Sequence, residues 1–166
     1  MKQIRLNVFE TNSSSTHSIA ITKNNNIIDY LDTINFKFGE FGWENDTLSS
    51  VDEKASYLYT AIINYASYPD DYLKYLENTL NEFNINSVFE EKSESSYWDN
   101  GYIDHGNELF EFLNDLKNDK TKLINFLLSP LSYIITGNDN SDTYDEEDKI
   151  FENLQPDEYW IYYKGN

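Results

Sequence analysis

The chain is 166 residues long, with 30 Asp and Glu against 12 Lys and Arg, a formal charge of −18 and a pI near 4.2. So acidic a chain is excluded as a general polyanion binder, because it lacks the cations to neutralise several phosphates; the absence of cysteine excludes a disulfide framework, a thiolate zinc site and a Cys nucleophile. An aromatic content of 16% argues against wholesale disorder, and the length suits one domain, taken as 1–166.

Residues 3–9 alternate, with Ile4, Leu6 and Val8 at the period of a half-buried strand. Residues 10–18 carry no large apolar side chain and read as a polar loop, followed by a short strand at Ile19-Ala20-Ile21. A second hairpin is expected within 35–43, where Phe36, Phe38 and Phe41 flank Gly39 and Gly42. Ser50 and Glu53 form a capping-box pattern opening a helix with Val51, Ala55, Leu58, Ile62 and Tyr65 on one face. Pro69 and Asp70-Asp71 open a second helix, with Leu73, Leu76, Leu80 and Phe83 as its stripe.

Ile85 to Phe89 reads as a strand and 90–96 as a polar loop. Gly106 or Asn107 opens a third helix carrying Leu109, Phe110, Leu113 and Leu116, and Asp119 caps a fourth that ends at Pro130. Leu131 to Thr136 reads as a buried strand, 137–148 as an acidic loop, and Tyr159 to Tyr163 as a closing strand. Helices grouped between strands predict an α+β fold: a small antiparallel sheet of N-terminal and C-terminal strands packed against about four helices. No run of about 18 apolar residues is present, and the N-terminus lacks a signal-peptide core, so a cytoplasmic protein without membrane contact is expected.

Four consecutive hydroxyls, Ser13, Ser14, Ser15 and Thr16, precede His17. Hydroxyls and turn amides can cradle an anion, with Arg5, the one arginine, as counter-charge. The alternative is a solvated loop whose hydroxyls cap their own backbone. The histidines are His17 and His105, and with Asp104 they suggest an acid–base set. A metal held by His17, His105 and Asp104 or Glu10 is disfavoured because no ligand spacing supports it, so neither metal nor cofactor is assigned. The stretch from Gly137 fails as an EF-hand: Thr143 stands where the loop glycine belongs and Lys149 where the bidentate Glu belongs.

The run from Asn7 to Ile19, containing Phe9-Glu10-Thr11-Asn12-Ser13-Ser14-Ser15-Thr16-His17-Ser18, resembles the N-terminal signature of small proteins of tailed phages and related mobile elements. Two shorter blocks, Tyr102-Ile103-Asp104-His105 and Gly137-Asn138-Asp139, are similar to further blocks of that group. The resemblance implies a phage or prophage origin and a bacterial host cell, and no particular reaction.

Residues 1–24 carry a net charge of +2, while 139–158 hold nine acids against Lys149. Asp139, Asp142, Asp145, Glu146, Glu147 and Asp148 are therefore the expected partner-binding residues, presenting carboxylates where phosphates would lie. The leading expectation is a non-catalytic protein that binds and inhibits a host nucleic-acid-processing or defence protein through a basic surface, without touching nucleic acid itself. The alternative is a nucleotide- or phosphate-binding protein, or a hydrolase, built on the Ser/Thr/His loop.

Overall fold

The computed structural model describes residues 15–28, 30–42, 46–93, 100–104, 106–138, 151 and 153–164. In order these are β1 (Ser15–Thr22), β2 (Thr33–Phe36), β3 (Glu40–Phe41), β4 (Asp46–Leu48), α1 (Val51–Tyr65), α2 (Pro69–Asn81), β5 (Asn86–Phe89) and β6 (Tyr102–Ile103). A 3-10 turn (Gly106–Leu109), α3 (Phe110–Asn118), α4 (Lys120–Leu128), β7 (Tyr133–Asn138) and β8 (Tyr159–Lys164) follow. The main sheet is antiparallel in the order β4-β7-β1-β8, so strands from the two ends of the chain lie side by side, and the class is α+β. No helix among the described residues is long and apolar enough to cross a membrane.

β1 begins at Ser15, four residues before the apolar run that announces it. All eight of its residues are buried. Alternation sends Ile19 and Ile21 toward the helices, while Ala20 faces a smaller cluster with Ile135 and Phe151. β7 pairs with Ser15 through Ala20 and β8 with His17 through Thr22. Both edges of β1 are therefore occupied, by β7 and β8; residues 3–9, read from the sequence as the preceding strand, lie outside the described residues.

The hairpin expected within 35–43 is replaced. β2 pairs in parallel with β5, and β3 with β6, so each strand finds its partner across an intervening stretch rather than across a turn. β2 must climb over α1 and α2 to reach β5, and this long connection is what parallel pairing requires. β7 continues to Asn138, two residues into the expected acidic loop.

The capping box forms as expected: the Glu53 backbone N–H donates to Ser50 Oγ, and the Ser50 N–H donates to the Glu53 carboxylate. Beyond it α1 is buried on nearly every side, taking in Tyr57, Tyr59, Thr60 and Lys54 as well as its apolar stripe. That makes α1 the central post, touching β2, β6, α2, α3 and α4. Asp119 caps α4 by accepting from the Lys122 N–H at 3.0 Å.

Candidate functional site

The polar start of β1 ends in a buried hydrogen-bond knot. His17 is 2% exposed. Its Nε2 lies 3.0 Å from the Asp104 backbone carbonyl, which also accepts from Ser15 Oγ at 3.1 Å. A carbonyl only accepts, so Nε2 carries the proton; in the neutral ring Nδ1 then accepts from the Tyr57 hydroxyl, 3.2 Å away. Burial holds the Tyr57 hydroxyl far above its ordinary pKa, with the nearby Tyr65 adding to the effect, so it stays a donor.

The knot is fixed from a third side by β3 and β6. The Asp104 N–H donates to the Phe41 carbonyl at 2.9 Å, delivering the Asp104 carbonyl to the ring. Gly42 follows at φ +123°, where a Cβ would stand 2.9 Å from Asp104 Cβ and 3.2 Å from His17 Nε2. Only glycine accepts both that backbone conformation and that approach.

The described parts of three sequence stretches, 15–19, 102–104 and 137–138, meet here. Ser15 pairs with Asn138 and Thr16 with Gly137 in the β1–β7 ladder, while Ser15 and His17 bond to Asp104. Thr16 is 3% exposed and lies on the strand face opposite His17. The described polar atoms of Ser15 and His17 point into the protein and meet the Asp104 backbone carbonyl. In this arrangement the knot is a clasp joining three distant stretches of chain, with its imidazole buried. Arg5, Glu10, Ser13, Ser14, His105, Asp139, Asp142, Asp145, Glu146, Glu147 and Asp148 lie outside the described residues. Among the described residues no group of three His, Asp or Glu is placed to hold a metal.

Two lysines, Lys54 and Lys122, are buried. Lys54 is fully enclosed and donates to the Ser129 and Ser132 carbonyls at 2.6 and 3.0 Å. Burial pulls its pKa down to about 8 against a smaller opposing pull from Glu53. Lys122, 8% exposed, donates to Asp115 at 2.7 Å and to the Tyr162 hydroxyl at 2.9 Å, and its ammonium sits 5.1 Å from the Trp160 ring centroid. Tyr162 also donates to Asp115. The hydrogen bonds from Lys122 and Tyr162 hold the Asp115 carboxyl below its usual range, whereas burial and the bond to Asp115 drive the Tyr162 hydroxyl up. A hydroxyl raised in this way is a poor general base, so the cluster pins β8 to α3 and α4. Trp160 is a half-buried part of this packing, while Tyr97 and Trp98 lie outside the described residues.

The sequence offered a signal for few of these groups. Tyr57 lies off the apolar stripe of α1, and Asp115, Lys122 and Tyr162 are joined only by the fold. Comparison with known protein families, curated proteins and solved structures finds no match to the chain.

Proposed function

We propose that this chain is an acidic interaction protein that docks on the basic surface of a host nucleic-acid-handling or defence protein and blocks it, the role that the resemblance to phage proteins suggests. The observation that carries the reading is the sorting of charge. Lys54 and Lys122 are buried, while Glu40, Asp46, Asp52, Asp70, Asp71 and Glu77 are exposed. Among the described residues the exposed carboxylates outnumber the exposed lysines Lys23, Lys37, Lys74, Lys92 and Lys120, and the field of such a surface steers toward cations and away from nucleic acid. The buried state of His17 supports a docking role over one in catalysis, since a group 2% exposed meets no dissolved substrate without local opening.

The test is capture of a host protein by the immobilised chain, followed by titration of the purified pair with salt and with the nucleic acid that the partner binds. Affinity that falls with rising salt, together with displacement by that nucleic acid, is the expected result. An association indifferent to both overturns the reading. A second reading, an anion site carried by Arg5 and Ser13 to His17, requires the start of β1 to open, since Ser15, Thr16 and His17 are buried there. It predicts that inorganic phosphate raises the melting temperature, and that the rise is lost in Arg5→Gln.

A further inference from the structure

We infer that the docking face lies at the N-terminal ends of α2 and α3, where Tyr68 and Phe110 anchor an apolar spot of a basic partner. This rests on the proposed function and locates the contact within it. Tyr72 donates to the Leu113 carbonyl and Tyr75 to the Leu116 carbonyl, at 2.8 and 3.4 Å, and both bonds span the same 41 residues of sequence. A constant offset means that the two helices run parallel. Lys120, at the start of α4 just after α3 ends, bridges to Glu82 just past the end of α2, as that alignment requires. The same offset sets Tyr68 level with Leu109, beside Phe110.

Both aromatics stand in water at this end, Tyr68 at 70% and Phe110 at 54% exposure. Folding gives no reason for either. Tyr68 occupies the N-cap of α2 and Leu109 that of α3, and neither makes a side-chain cap bond. Ser, Thr, Asp or Asn at such a position stabilises a helix, so the exposed tyrosine is held at some cost in stability. Tyrosine is a favoured anchor of protein interfaces, where it buries a large area at low entropic cost. The exposed acids Asp70 and Asp71 follow Tyr68 in the first turn of α2, and exposed Glu111 follows Phe110 in that of α3. Apolar anchors with an acidic rim fit a protein face that offers an apolar pocket ringed by Lys and Arg.

The experiment titrates the isotope-labelled full chain with two peptides of equal positive charge, one of lysine and glycine only and one with leucines between the lysines, and follows backbone amide shifts. The leucine-bearing peptide is expected to perturb 68–71 and 110–111 and to bind at least tenfold more tightly than its glycine counterpart. The double variant Tyr68→Ser with Phe110→Ser removes that difference. It melts no lower than the wild type, because the serine at position 68 supplies the cap that α2 lacks and the change at the exposed position 110 removes no buried contact. Salt-sensitive binding that maps elsewhere, or that survives the double variant, overturns this face and leaves a basic partner standing. Binding of neither peptide, or binding insensitive to salt, overturns the face and the charge-driven reading together.

Discussion

His17 shows how one side chain can look reactive in sequence and act structurally in the fold. Its ring spans the Tyr57 hydroxyl on α1 and the Asp104 carbonyl beyond β6, so removing it strands the buried Tyr57 donor and leaves the Asp104 carbonyl with Ser15 Oγ alone of these two donors. Stranded buried groups cost more than the lost bond itself. His17→Ala is expected to destabilise by about 2–4 kcal/mol in urea unfolding. Tyr57→Phe should cost about 1–2 kcal/mol, and much less in the His17→Ala background, since the bond is already gone. Strict additivity of the two would show that the bond carries no energy. Gly42→Ala tests the same knot from the other side: with a Cβ only 2.9 Å from Asp104 Cβ and φ at +123°, it should cost about 2–3 kcal/mol. Neither Tyr57 nor Gly42 was readable as part of the site, because each becomes a neighbour of His17 only through tertiary packing.

At the scale of elements, local chemistry was legible and pairing was not. Ser50-x-x-Glu53 and Asp119 fix their helix starts by bonds within a single turn, and Pro69 does so by its fixed φ, which is why those three starts are found where the pattern puts them. Ser50→Ala removes the cap oxygen and should cost about 1 kcal/mol, read as a lower urea midpoint with an unchanged slope. The α2–α3 contact offers an internal comparison. Tyr72→Phe breaks a buried 2.8 Å bond and should cost about 1–1.5 kcal/mol, while Tyr75→Phe breaks a 3.4 Å bond and should cost under about 0.5 kcal/mol. By contrast, the polar opening of β1 hides a strand, because Ser15, Thr16, His17 and Ser18 have the composition of a loop and become buried only when β7 and β8 close on both sides. The parallel pairs β2–β5 and β3–β6 are hidden for a related reason: Gly39 and Gly42 mark a tight turn, and nothing local says that the strands around them pair elsewhere.

For the whole molecule the balance of charge sets how stability responds to pH and salt. A net charge of −18 repels itself more in the compact state than in the expanded one, so added salt should raise the urea midpoint from low ionic strength to about 0.15 M, where the Debye length falls to roughly 8 Å. The alkaline limb has its own shape. Lys54 titrates at about 8 when folded and near 10.5 when exposed, so between those values the unfolded chain binds the proton that the folded chain has released. Stability therefore rises with pH across that interval. Tyr57, Tyr72 and Tyr162 act in the opposite sense, since burial raises each above the ordinary value of 10.0; above that value the unfolded chain ionises first and stability falls. Urea unfolding followed from pH 7 to 11 should accordingly show stability climbing from about 8 to a maximum near 10 and then dropping. Lys54→Met removes the climb and keeps the drop. A wild-type profile flat between 8 and 10 would mean that the Lys54 ammonium is fully compensated by the Ser129 and Ser132 carbonyls, and that its burial makes no demand on the fold.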